Sequence, residues 1–345
     1  MGTVSLCMIL RDEEAVLGRC LDSVARHVDQ IILVDTGSRD RTKEIGAAYG
    51  AQIYDFPWQD DFAAARNFAY ARAGMDYQLW LDADDLVPPD TAAALRTLAD
   101  GEADLVMLPY RTGFDAAGRC SFWCWRERLT RRAAGFRWQG AVHECIIPAG
   151  RVVKADFPID HRPGEKPRSD RNLGILQRQL ERDGTLPPRA RYYYGRELLE
   201  HGRTEDARQQ LTLFLQDPGG WAVDKGAACR LLAATAPDRD ARLAALVTAL
   251  DYGPPEAGLC CDLGRCFLDR GHPDTAEFWF RAALERPEPP GFVLEEERRF
   301  LPAVWLCVCR DRQGDRAGAL EWHRLARQLN PDHPAVLQND RYFGL

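Results

Sequence analysis

No apolar run in this chain approaches the roughly 20 residues needed to span a bilayer, so no segment reads as transmembrane. None of its eleven cysteines pairs with another at CxxC spacing. Cys120 and Cys124 come nearest to metal-ligand spacing, but no second pair completes a zinc set. Cys260-Cys261 and Cys307 with Cys309 stand in apolar, helical surroundings, where cysteine serves as a small hydrophobe. Reduced thiols in a cytoplasm are therefore expected. Long basic runs are also missing and the net charge is −7, which excludes a polybasic membrane anchor and argues against nucleic acid as a partner. The opening stretch has no positive n-region before its apolar residues and runs directly into Arg11-Asp12-Glu13-Glu14. It is expected to be a first strand and not a signal peptide.

What is present is 345 residues of ordinary apolar content, enough for two domains with separate cores. The stretch that organises the first is Leu79-Trp80-Leu81-Asp82-Ala83-Asp84-Asp85. Three apolar residues end a buried strand, and three carboxylates follow. Carboxylates so close repel one another unless a cation sits among them. Asp-x-Asp at a strand end suits Mg²⁺ or Mn²⁺, hard ions that share oxygen ligands with substrate phosphates. Alone, the motif is short and common, and a solvated turn is its ordinary meaning.

The neighbouring pattern changes that. Val4 to Leu10 reads as a strand, and Leu17, Cys20, Leu21 and Val24 follow at helical spacing. Ile31 to Val34 is a second buried strand, ending in Asp35-Thr36-Gly37-Ser38. Further strands are expected at Ala51 to Tyr54, Gln78 to Leu81 and Asp104 to Tyr110, with helices around Ala63-Ala64-Ala65-Arg66-Asn67 and from Thr91 to Leu98. Such alternation implies an α/β domain with a mostly parallel sheet covered on both faces. Ligands bind beyond the carboxyl ends of strands in such sheets, so Asp35 and Asp82 should share one crevice.

From about Arg168 the pattern becomes helical and repeats. Ala207, Ala241 and Ala276 are spaced about 34 and 35 residues apart, the tetratricopeptide period. Gly195 and Gly264 precede two of these alanines by the same interval, and Leu211 and Phe280 follow the same two by the same interval. Ala319 heads a fourth unit after an insertion rich in Glu and Pro. Small residues are expected where paired helices cross, and large ones between units.

Five segments in order then carry a resemblance: Ser5 to Glu14, Val34 to Thr42, Asp61 to Asn67, Trp80 to Asp85, and Val142-His143-Glu144. Together they resemble family 2 glycosyltransferases of GT-A fold. With the appended helices, the chain resembles the branch that contains the sublancin-type peptide S-glycosyltransferases, and also glucosyltransferases of lipopolysaccharide core assembly. Arg11-Asp12-Glu13 stands where that branch commonly has Lys-Asn-Glu. The resemblance implies a GT-A (Rossmann-like) domain over 1–165 and an all-α, tetratricopeptide-like domain over 166–345. It further implies transfer of a sugar, with inversion, from a UDP-sugar with Mg²⁺ or Mn²⁺. Asp84 is implied as the direct metal ligand, with Asp82 on the metal or the ribose and His161 completing the site. Asp35 and Glu13 fall to the nucleoside, and Arg66 to the diphosphate. Glu144 is implied as general base, with Asp85 as its runner-up and His143 orienting the acceptor or Glu144. Trp123, Trp125 and Trp138 are expected in the core, with stacking on a sugar as the alternative.

A repeat surface suits an extended peptide, so a Cys, Ser or Thr side chain leads as acceptor, followed by a carbohydrate or lipid-linked glycan. The repeats could equally join two copies in a homodimer. Two alternatives come from other classes. One is a non-catalytic repeat adaptor with a vestigial nucleotide-sugar domain. The other is a nucleotidyltransferase, which would need a Gly-rich basic loop where Arg11-Asp12-Glu13-Glu14 stands.

Overall fold

The computed structural model describes residues 2–115, 117–164 and 169–345. The chain forms two compact units, 1–186 and 187–345. The expected domain boundary at 165/166 lies outside the described residues.

The first unit runs β1 (Val4–Leu10), α1 (Leu17–Val24), β2 (Gln30–Asp35), α2 (Thr42–Ala48), β3 (Gln52–Asp55), α3 (Phe62–Tyr70), β4 (Tyr77–Trp80), β5 (Asp85–Leu86) and α4 (Pro89–Ala99). It continues through β6 (Leu105–Phe114), β7 (Cys120–Arg131), β8 (Trp138–Gln139), β9 (Cys145–Ile146), β10 (Val152–Lys154), β11 (Ile159–His161) and α5 (Arg171–Asp183). The main sheet has the order β3-β2-β1-β4-β7-β6-β11-β5, with β10 also on β6. β8 and β9 pair separately.

Parallel strands need cover on both faces, which is why β1, β2 and β4 are mostly apolar, interrupted within them only by Ser5 and Gln78. Successive side chains go to opposite faces. Val4, Leu6, Met8 and Leu10 therefore join Ile31, Leu33, Tyr77 and Leu79 in one core, under Leu17 and Leu21 of α1 and Leu95 of α4. Cys7, Ile32, Val34 and Trp80 face the other way, against Ala63, Ala69 and Tyr70 of α3. Each buried Leu contributes roughly 1.5–3 kcal/mol. The mostly parallel, doubly covered sheet agrees with the expected GT-A arrangement. Two features differ from a simple parallel reading: β7 runs antiparallel to both β4 and β6, and β11 runs antiparallel to β5.

The second unit contains α6 (Pro188–Glu200), α7 (Thr204–Gln216), α8 (Ala222–Ala234), α9 (Arg239–Thr248), α10 (Ala257–Asp269), α11 (Pro273–Leu284), α12 (Leu301–Arg312), α13 (Arg316–Leu329) and α14 (Pro334–Phe343). The first eight pack as consecutive pairs. Ala207, Ala276 and Ala319 are fully buried. A Cβ on Gly195 would lie 2.8 Å from Leu211 Cδ2, and one on Gly264 would lie 2.7 Å from the Phe280 ring. Glycine is required there by close helix crossing, as the repeat pattern implied. All eleven cysteines are free, and most are buried. Among the described residues no helix is long and apolar enough to cross a membrane.

Candidate functional site

The site lies where β1, β2 and β4 end. Two loops meet there and are stitched by side chain to backbone bonds. The Asp12, Glu13 and Glu14 amides donate to Ser38 Oγ, Thr42 Oγ1 and Asp40 Oδ2 at 3.0, 2.7 and 3.0 Å. In return the Arg39 and Arg41 amides donate to Asp12 Oδ1 and Glu14 Oε2 at 2.8 and 3.1 Å. Asp35 is buried, accepts the Ser38 amide on both oxygens at 3.0 and 3.1 Å, and has Lys43 Nζ at 3.4 Å. Asp35 thus shapes the turn, and Glu13, in the first loop, is half-buried.

The carboxylates after β4 divide. The Asp82 amide donates to Asp85 Oδ2 at 3.0 Å, closing a tight turn. Asp85 is fully buried and ion-paired with the equally buried Arg128 Nη1 at 3.0 Å, and it accepts the Tyr110 hydroxyl at 2.8 Å. β11 pairs antiparallel with β5, setting His161 opposite Asp85. His161 Nδ1 lies 2.9 Å from the Tyr110 hydroxyl, 3.4 Å from Asp84 Oδ1 and 3.5 Å from Asp85 Oδ1. Ligand atoms of Asp84, Asp85 and His161 all fall within 4.8 Å of one another.

Two oxygens and an imidazole nitrogen suit Mg²⁺ or Mn²⁺, and the Asp84 and His161 side chains keep about a quarter of their surface exposed (24% and 28%). The spot favours positive charge. Burial opposes a charged His161, yet hydrogen bonds and charge from Asp84 and Asp85 push its pKa up to about 10.

Asp82 turns away from this cluster, although Asp-x-Asp spacing set it beside Asp84 as a ligand. Its Oδ1 accepts Arg66 Nη2 at 2.7 Å, while Glu144 Oε1 accepts Arg66 Nε at 2.5 Å. Burial raises the Asp82 pKa, but the Arg66 and Arg128 charges outweigh it and hold the carboxyl at about 2. Arg66 is 6% exposed and packs against both Trp80 and Trp138, with ring centroids at 4.6 and 4.9 Å. It joins the first Asp of the motif to Glu144.

The local sequence explains that placement. Asp61 caps α3 by accepting the Ala64 amide at 2.9 Å. The Asn67 amide clasps the Trp138 backbone through two bonds of 2.9 and 3.0 Å, and the Phe62 amide donates to Ala141 O at 2.9 Å. α3 thus pins both ends of the segment leading to Glu144. Gly140 has φ +98° and His143 φ +53°, so the loop turns through left-handed backbone before Glu144. Trp138 is core, edge-on to Trp80 at 5.0 Å, whereas Trp123 and Trp125 are half-buried and edge-on to each other at 5.7 Å.

The sequence reading missed Arg128 and Tyr110, which brace Asp85 and His161. For Arg128 a signal was present: Arg126-Glu127-Arg128 puts three consecutive charges inside a strand rich in aromatic residues, a burial tolerated only with partners.

Residues 5–151 match the protein family Glycosyl transferase family 2. The chain is 31% identical over 333 residues to a TPR repeat-containing protein of Synechococcus elongatus, covering 95% of this chain and 66% of that one. It is 24% identical over 227 residues to the SPbeta prophage-derived glycosyltransferase SunS of Bacillus subtilis, covering 59% of this chain and 51% of that one. The chain therefore spans between half and two thirds of the length of these relatives. It is 28% identical over 163 residues to the lipopolysaccharide core biosynthesis glycosyltransferase LpsC of Rhizobium meliloti, covering 44% of this chain and 60% of that one. Among solved structures, glucosyl-3-phosphoglycerate synthase of Mycobacterium tuberculosis with Mn²⁺ and UDP-glucose aligns at 18% identity and TM-score 0.38, covering 54% of this chain and 80% of that one. The N-terminal part of this chain is a glycosyl transferase family 2 domain, and helical repeats follow it.

Proposed function

We propose that the protein is a metal-dependent glycosyltransferase that moves a sugar, with inversion, from a UDP-sugar to a peptide side chain. The observation that carries this reading is the convergence of Asp84, Asp85 and His161 at one end of the sheet of a family 2 domain. Asp84 and His161 are the proposed ligands of Mg²⁺ or Mn²⁺, and Asp85, held by Arg128 and Tyr110, is a strut between them. A cation there supplies charge neutralisation for the departing diphosphate. Asp82 is proposed to meet the ribose, with Asp35 and Glu13 at the nucleoside.

One-step inversion needs a base on the face opposite the leaving group. Glu144 is the proposed base, oriented by Arg66 through Oε1, and His143 beside it is proposed to face the acceptor. These roles keep the transfer chemistry within residues 1–165 and leave the repeats of 166–345 to recruit the acceptor or to join two copies. The resemblance to sublancin-type enzymes and the match to SunS support a peptide acceptor. The match to LpsC favours a second reading, a glycan acceptor.

The test is nucleotide release from a panel of UDP- and GDP-sugars with Mg²⁺ or Mn²⁺, for the wild type and Asp84→Ala. Metal-dependent release from one UDP-sugar, lost in the variant, is expected. Wild type that binds no nucleotide in a Mn²⁺-dependent thermal shift would instead favour the adaptor.

A further inference from the structure

Asp82 and Glu144 engage Nη2 and Nε of Arg66 and leave its buried Nη1 without a partner, so one nitrogen of this guanidinium stays available to a diphosphate. Another cation stands at the rim. Helix α5 lies beyond the family match, yet it is fastened to the first unit: Arg178 donates through Nε and Nη2 to Asp60 Oδ2 at 3.0 and 2.7 Å. Asp60 is itself held at φ +56° and accepts Trp58 Nε1 at 2.8 Å. Ile175 and Leu176 bury the apolar side of the helix.

This attachment sets Arg171, the first residue of α5, with its guanidinium carbon 4.7 Å from the centroid of the Phe62 ring. Phe62 lies one turn before Arg66 on the same face of α3, and its amide is bonded to the loop that carries Glu144. Arg171 therefore stands beside the Asp82–Arg66–Glu144 chain without entering it; among the described residues it makes no ion pair. The charges acting on it come from Arg11, Glu13, Glu144 and Asp82. Burial and the Arg11 guanidinium pull its pKa down, against the three carboxylates. Arg11 is occupied only loosely, with Asp12 at 3.8 Å on the surface. The Arg11 charge acts unfavourably on Arg171, and an anion bound by Arg171 would relieve it.

We propose that Arg171 is a donor-binding residue whose guanidinium takes the diphosphate of the nucleotide sugar, alongside the cation held by Asp84 and His161. The proposal rests on the nucleotide-sugar reading of the site. A planar guanidinium engages two phosphate oxygens at once, and the Phe62 face keeps this exposed side chain oriented. The donor site then includes an element that the family match does not reach.

The test compares binding of UDP and of uridine, each with Mn²⁺, to the full chain as wild type, Arg171→Ala and Arg171→Lys, by calorimetry. Arg171→Ala is expected to weaken UDP roughly ten- to a hundredfold, Arg171→Lys less, and uridine not at all. Wild-type affinity for UDP in Arg171→Ala would overturn the proposal and leave the nucleotide-sugar reading intact. So would an equal loss for UDP and uridine, the mark of a structural role. A wild type that binds neither ligand would overturn that reading and the proposal with it.

Discussion

The two units bury different chemistry. In the repeats, Gly195 faces Leu211, Gly264 faces Phe280, and Ala207, Ala276 and Ala319 are buried while Ala241 is half-buried, so packing rests largely on size matched to size. In the first unit, Asp35, Arg66, Asp85, Arg128 and Glu144 are all buried, and the last four join chains of ion pairs beyond the ends of the strands. Burying ion pairs is seldom the cheapest route to stability. Charges gathered at one end of a sheet are better understood as holding a site in shape. The repeats carry ion-pair clusters too, Arg230 on Asp262 and Glu297 and buried His323 with Arg327 on Asp340, but these tie helices to neighbouring segments of the repeats.

Variants can break this contrast. Arg128→Met should have the largest effect, because it strands Asp85 without its cation; a loss of about 3–5 kcal/mol is expected, read as a lower urea midpoint. Pairing it with Asp85→Leu should return much of that stability but not nucleotide release. If the double variant were as unstable as the single, the buried pair would not be the cause.

Asp84→Ala should leave the urea midpoint near wild type and lower turnover roughly a hundred- to a thousandfold. Equal losses of stability and turnover would make Asp84 structural.

Asn67→Ala removes both bonds to the Trp138 backbone. A cost of about 1–3 kcal/mol is expected, with faster amide exchange over residues 138–144 as the specific readout. Exchange that speeds up everywhere alike would deny Asn67 its local role.

The smallest effect belongs to the repeats. Gly264→Ala pushes on one edge of the Phe280 ring and should cost about 1 kcal/mol, the low end for overpacking, with UDP binding untouched.

Much of the fold was legible because parallel strands buried on both faces leave nearly continuous apolar runs, as in β1, β2 and β4, and because close helix crossings leave glycines at a fixed period. The direction of β7 was not legible. Its segment Cys120–Arg131 is dense in aromatic and charged residues, and direction is set by which strands flank it, not by local pattern. The site was legible in its members more than in its grouping. Asp84 and His161 do meet, but Asp82 turns to Arg66 and Asp85 joins the cluster, since a three-residue turn can aim its carboxylates to either side. Arg128 and Tyr110 come into view only when β6, β7 and β11 are side by side.

The central claim is that Asp84 and His161, joined through the β5–β11 pair, form a cation site serving a nucleotide. Its most direct test is a Mn²⁺ titration followed by electron paramagnetic resonance, with and without UDP, on wild type, Asp84→Ala and His161→Ala. One Mn²⁺ per chain, bound more tightly with UDP and lost in both variants, is the expected result. Equal Mn²⁺ binding by all three proteins would contradict the account.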